Sequence, residues 1–148
     1  MENNFDENLK KLVNEINIDI TENQISKFYD YMNVLLEWNE KINLTAITKP
    51  DEIILKHFVD CLTIQKYMEN NKKIVDIGTG AGFPGIPLAI MNEKNNFVLV
   101  DSLNKRINFL NEVKDNLDLK NITAIHSRAE EFDQNKAYRE KFDIAVSR

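Results

Sequence analysis

Apolar residues in the N-terminal half recur every three or four positions: Phe5, Leu9, Leu12, Val13 and Ile16, then Ile25, Phe28, Tyr29, Met32, Leu35 and Leu36. That spacing gathers each set on one side of an α-helix, so two amphipathic helices are predicted. Thr21-x-x-Gln24 supplies a capping box at the start of the second. A third helix is predicted from Pro50-Asp51-Glu52, where a proline and two acids suit a first turn, with Ile54, Leu55, Phe58, Val59 and Leu62 on one face. From Lys73 onward the period changes. Short unbroken apolar runs at Lys73 to Ile77, Asn96 to Val100, Ile122 to Ile125 and Phe142 to Val146 read as strands buried on both faces. Between the second and third runs, Leu103, Ile107, Leu110, Val113 and Leu117 form one helical stripe. Alternating strands and helices of this kind predict a three-layer α/β architecture with a parallel sheet. The change of period near Asn70-Asn71 divides a helical cap, residues 1–71, from an α/β core, residues 72–148, in one compact unit.

Composition narrows the classes. A chain of 148 residues can bury one core without disulfide or metal support, and its single cysteine, Cys61, has no internal partner. No apolar run reaches the roughly 20 residues of a membrane span, and Met1-Glu2-Asn3-Asn4 is neither basic nor apolar, so a cytoplasmic protein is expected. The net charge is −5, against a surface that wraps nucleic acid. Residues 1–72 hold 8 Lys and 13 acidic groups, so the acidic excess lies there. All four arginines, Arg106, Arg128, Arg139 and Arg148, follow later in the chain, where a phosphate-facing surface would be sought.

All four glycines fall within Gly78-Thr79-Gly80-Ala81-Gly82-Phe83-Pro84-Gly85, directly after the first strand. Such a loop lets backbone approach a nucleotide more closely than a Cβ permits. Gly80 to Gly85 satisfies G-x-G-x-x-G, so an NAD-type dinucleotide-binding oxidoreductase is one reading. Against it, Pro84 and Pro87 remove two backbone donors where a pyrophosphate-binding helix should start. Asp76 adds a carboxylate before the loop, which suits an ammonium or sulfonium ligand such as S-adenosylmethionine. Asp101, at the end of the second strand, can accept two ribose hydroxyls. Asp76-x-Gly78-x-Gly80-x-Gly82 with Asp101 resembles the cofactor signature of class I methyltransferases.

Further segments carry a closer resemblance. Trp38-Asn39-Glu40-Lys41-Ile42-Asn43-Leu44-Thr45, His57-Phe58-Val59-Asp60-Cys61-Leu62, the glycine loop with its Pro84-Gly85-Ile86-Pro87 ending, Asp101-Ser102-Leu103-Asn104-Lys105-Arg106, Ser127-Arg128-Ala129-Glu130-Glu131 and Asp143 to Arg148 span nearly the whole chain. Together they resemble the bacterial 16S ribosomal RNA guanine-N7 methyltransferase family, also called glucose-inhibited division protein B. The resemblance implies a Rossmann-like, S-adenosylmethionine-dependent enzyme acting on small-subunit ribosomal RNA, with Gly78, Phe83, Ala129, Glu130 and Arg148 contacting the cofactor. Cys61 stands where the family has serine and is expected to be a small core residue. Trp38, Asn39 and Asn43 are expected to pack and cap the helical layer. His57 and Asp60, three apart, are expected to share a face toward the ligand edge, and no metal is expected, because no second His or Cys stands at ligand spacing. Guanine N7 carries a lone pair and no proton, so its methylation needs alignment and no general base, and no catalytic residue is assigned.

The family continues through further strands beyond the fourth, whereas this sequence stops at Arg148. An incomplete sheet, self-association through the exposed edge and weak or absent activity of the 148-residue chain are the expectations that follow. A noncatalytic cofactor-binding fragment is the remaining alternative.

Overall fold

A computed structural model describes residues 2–135 and 140–148; Arg139 lies outside the described residues. Helices α1 (Glu2–Glu15) and α2 (Glu22–Asn39) lead the chain. The capping box closes α2 as its sequence requires: Gln24 N–H donates to Thr21 Oγ1 at 3.1 Å, and Thr21 N–H donates to Gln24 Oε1 at 2.9 Å. Helix α3 (Pro50–Ile53) runs directly into a π-helical segment, Ile54–Val59, and then a 3-10 segment, Leu62–Tyr67. The wider π turn rotates the face away from a strict α period. Leu55 is consequently 51% exposed, contrary to the expected stripe, while Ile53 is fully buried in its place.

The core alternates β1 (Lys73–Ile77), α4 (Gly85–Met91), β2 (Asn96–Asp101), α5 (Asn104–Leu117), β3 (Ile122–His126), α6 (Ala129–Gln134) and β4 (Ile144–Val146). All strand pairs are parallel, in the order β3-β2-β1-β4. Phe142, expected to open the fourth strand, lies outside it. Right-handed crossovers that step from β1 to β2 to β3 put α4 and α5 on one face, and the return to β4 puts α6 on the other. The side chains follow that division. Ile74, Phe97, Leu99 and Ile122 join the large core with α1, α2, α4 and α5, whereas Val75 and Val100 pack with Phe132 of α6. The strand order reverses between β1 and β4, and the crevice above their carboxyl ends is where open α/β sheets bind ligands.

The helical layer is joined to this core by aromatic contacts. Phe28 of α2 meets Phe58 at 5.0 Å between ring centroids, and Trp38 meets Phe109 of α5 edge-on at 5.9 Å. Each such burial stabilises by about 1.5–3 kcal/mol. Trp38 thus packs as expected, and Asn39 caps: its Oδ1 accepts from Leu44 and Thr45 N–H at 2.9 and 3.0 Å. Asn43, expected to help, is exposed. In α2 the buried face also takes in Tyr31 and Val34, while Tyr29 and Leu36 are only partly buried. Leu103 is 49% exposed because it precedes α5 in extended backbone.

Candidate functional site

The glycine loop leaves the carboxyl end of β1 at the switch point. Gly78, Gly80 and Gly82 adopt φ of +73°, +59° and +95°, left-handed values that side chains resist. A Cβ added at Gly78 or Gly80 would meet nothing within 4 Å, so these two line open space above the loop. At Gly85 a Cβ would strike Leu99 Cδ2 and stand 2.9 Å from Asp76 Oδ2, so this glycine serves packing.

The loop's donors turn inward. Gly78 and Thr79 N–H donate to the Val100 carbonyl at 2.8 and 3.0 Å, and Gly80 N–H donates to Asp101 Oδ2 at 2.9 Å. At the start of α4, Gly85 N–H donates to Asp76 Oδ2 at 2.9 Å and Ile86 N–H to the Gly82 carbonyl at 2.7 Å. Pro84 and Pro87 have no N–H. No donor at this helix start is left for a pyrophosphate, as the prolines predicted.

Two carboxylates flank the loop, and they are held differently. Asp76 is 1% exposed beneath it; Oδ2 also accepts from Thr79 Oγ1 at 2.7 Å, whereas Oδ1 is buried without a partner among the described residues. Burial pushes its pKa up from 3.8 to about 7, although the Thr79 and Gly85 hydrogen bonds hold it down and Asp101 adds to the rise. The expected first carboxylate is thus a buried charge behind the loop. Asp101 sits at the edge of β2, where Oδ1 accepts from Leu103 N–H at 3.0 Å and from Arg106 Nη1 at 3.4 Å. With Gly80 on Oδ2, three of roughly four acceptor positions are already used within the protein.

Ala129 and Glu130 begin α6 just past β3 and are exposed. Ser127 N–H donates to the Asp101 carbonyl at 3.0 Å, so the backbone ties this loop to the second carboxylate. Phe83 lies in the glycine loop itself, and Arg148 lies two residues past the carboxyl end of β4. Phe83 is buried, stacks on His57 at 4.4 Å and 17°, and has the Arg148 guanidinium 5.4 Å from its ring centre. Arg148 Nη2 donates to the Lys56 carbonyl at 2.6 Å, and its Nε lies 3.4 Å from Asp60. These contacts gather Phe83, His57, Arg148 and Asp60 beside the loop.

His57 and Asp60, expected on a common face toward the ligand edge, part company: His57 is buried while Asp60 is exposed. Burial, and then the Arg148 charge, lower the His57 pKa to about 4, so it is neutral near pH 7. Its Nε2 pairs with Thr45 Oγ1 at 2.7 Å. Cys61 is buried, and its thiol is pushed up to about 12 by that burial, consistent with a core residue rather than a nucleophile. Tyr31, overlooked in the sequence, is fully buried with its hydroxyl donating to the Ala81 carbonyl. Its signal was a hydroxyl at helical spacing from Phe28 and Leu35.

Two cavities lie away from this edge. One of about 950 Å³ is lined by Thr21, Lys27, Asn70, Lys94 and Asn121 at the amino ends of the strands, and one of about 430 Å³ by Ile16, Ile18 and Leu62. Among the described residues no His, Cys, Asp or Glu cluster is placed to hold a metal, and no helix is long and apolar enough to cross a membrane.

The family model described as rRNA small subunit methyltransferase G matches residues 24–148. Ribosomal RNA small subunit methyltransferase G of Desulforamulus reducens is 55% identical over 142 residues, covering 95% of this chain. That of Clostridium perfringens strain 13 is 54% identical over 142 residues, again 95% of this chain. The chain spans 59% of the length of both relatives. A solved coclaurine N-methyltransferase, bound to N-methylheliamine and SAH, matches 85% of this chain and 43% of its own at 14% identity and a TM-score of 0.44. The chain belongs to the rRNA small subunit methyltransferase G family, GidB.

Proposed function

We propose that this chain binds S-adenosylmethionine on the glycine loop and carries the cofactor half of an enzyme that methylates guanine N7 in 16S ribosomal RNA of the small subunit. The family supports the reaction class. The observation that carries the cofactor is the commitment of every donor at the start of α4, beside two carboxylates, Asp76 and Asp101. A diphosphate would find no free N–H at this helix start and carboxyl groups beside it, whereas a cationic nucleoside finds acceptors there. The residues fit the group: Gly78 and Gly80 open a cradle, and Asp76 Oδ1 is a buried acceptor with no partner.

In this reading S-adenosylmethionine supplies a methyl group already activated by the sulfonium. The backbone at Gly78 and Gly80 lies under the ligand, and the remaining acceptor capacity of Asp101 takes a ribose hydroxyl. Ala129 and Glu130 bound the adenine side through exposed backbone at the start of α6, while Asp76 attracts the cationic end from beneath. Phe83 walls an apolar part of the cofactor pocket, and Arg148, whose guanidinium lies over that ring, contacts the ligand. None of these groups moves a proton, because N7 has none to lose.

Titration with S-adenosylmethionine, S-adenosylhomocysteine and NAD while following thermal unfolding tests the cofactor. The first two should stabilise the chain, by about 2.7 kcal/mol at one hundred times the dissociation constant. Stabilisation by NAD alone would establish the oxidoreductase reading instead. Methyl transfer to intact small subunits and to naked 16S RNA, mapped to the modified base, tests the substrate. With ribosomal RNA as substrate, a cytoplasmic protein is the location this reading implies. The outer edge of β4 is where a second copy would add a strand, and sedimentation across a concentration series reads that association.

A further inference from the structure

We infer that Tyr31 is a positioning residue through which the N-terminal helices hold the glycine loop ready for its cofactor, an inference that rests on the cofactor reading above. Tyr31 lies in α2, 50 residues from Ala81, and is fully buried. Its hydroxyl donates to the Ala81 carbonyl. Its ring stacks on Phe58 at 5.4 Å and 21° and leans on Phe83 of the loop at 5.8 Å. The same oxygen fills the space over Gly82, where an added Cβ would stand 2.9 Å from it.

A loop with three glycines at left-handed φ has many conformations when released, and folding it into one costs entropy that tethers must offset. Three side chains tether it: Asp76 holds Thr79 and Gly85, Asp101 holds Gly80, and Tyr31 holds Ala81. The first two come from the strands beneath. The third comes from α2, so the helical layer is part of the cofactor site and more than a cover for the sheet. Without the hydroxyl, the buried Ala81 carbonyl loses its partner, the released conformations gain population, and apparent affinity falls with the competent fraction.

The test compares the full chain with Tyr31→Phe, which keeps the ring, and Ile25→Val, which trims a buried residue of α2 that takes no part in the loop. S-adenosylhomocysteine affinity is measured by calorimetry, and amide exchange is followed across residues 79–83 without ligand. Tyr31→Phe should bind about five- to tenfold more weakly, the size of one buried hydrogen bond, and exchange faster in the loop. Ile25→Val should lower the melting temperature and leave affinity and loop exchange unchanged. Equal affinity of Tyr31→Phe and the parent chain, or equal weakening by Ile25→Val, would overturn the positioning role. A parent chain that binds no S-adenosylhomocysteine would instead sink the cofactor reading, and this inference with it.

Discussion

Replacing Asp76 by Asn should stabilise the protein increasingly as pH rises and should weaken its cofactor binding. In the folded chain burial raises the Asp76 pKa from 3.8 to about 7. Between those values the unfolded chain has released a proton that the folded chain keeps, so the stability contributed by Asp76 is fully present below pH 4 and is lost as pH rises through 7. At about 1.4 kcal/mol per pH unit, the loss over this window is of order 4 kcal/mol. Asn cannot ionise, yet its amide oxygen can accept from Thr79 and Gly85 as Oδ2 does, leaving the NH2 at the position of the unpartnered Oδ1. The stability difference between Asp76→Asn and the parent should therefore widen by about 4 kcal/mol from pH 4 to 8, a movement of about 2 M in urea midpoint for a slope near 2 kcal/mol per M. His57 acts in the opposite sense: with its folded pKa lowered to about 4, its contribution is lost as pH falls below 6.5. The parent profile is flattened by this opposition, and Asp76→Asn should reveal acid sensitivity that His57 carries. Urea unfolding of both proteins at intervals from pH 4 to 8 is the assay. Parallel profiles would refute the argument, because they would mean that Asp76 ionises normally in the fold. A more stable variant that binds S-adenosylhomocysteine more weakly is the signature of a strained charge kept for function.

Gly85→Ala should destabilise although Ala is the better helix former by about 1 kcal/mol, because its Cβ meets Leu99 and Asp76; overpacking of this kind costs about 1–3 kcal/mol, and a raised melting temperature would count against it. Gly78→Ala, in open space but at φ +73°, should cost about 1–2 kcal/mol through backbone strain and be read by the same denaturation. Asn39→Ala removes three hydrogen bonds that fold residues 39–45 back on α2, Asn39 Nδ2 donating to the Thr45 carbonyl at 3.0 Å in addition to the two that Oδ1 accepts. Chemical denaturation should show a loss of about 2–3 kcal/mol. Asp101→Asn should weaken S-adenosylhomocysteine binding, read by calorimetry, since Oδ2 anchors Gly80 of the glycine loop and Oδ1 anchors Leu103 ahead of α5.

The amino-acid pattern alone specified the helices α1, α2 and α5, the four strands and the glycine loop after the first, because each rests on a local period or on residues a few positions apart. It also carried the chemical choice at the loop: Pro84 and Pro87 lack N–H wherever the chain places them, and the structure finds the other donors of that helix start used. The family was readable in the same way, from short segments matched in order. What the pattern could not contain were the partners that distant segments give to one another. The burial that raises the Asp76 pKa to about 7, and the His57 ring and Arg148 guanidinium that gather on Phe83, come from segments far along the chain. Leu55 lies outward where a π turn over Ile54–Val59 breaks the α period. Tyr31 looked like one more apolar-face residue, and only the approach of a loop 50 residues away made its hydroxyl a tether. Hydrogen-bond partners and desolvation depend on which segments meet, and that is decided by the whole packed core, not by spacing along the chain.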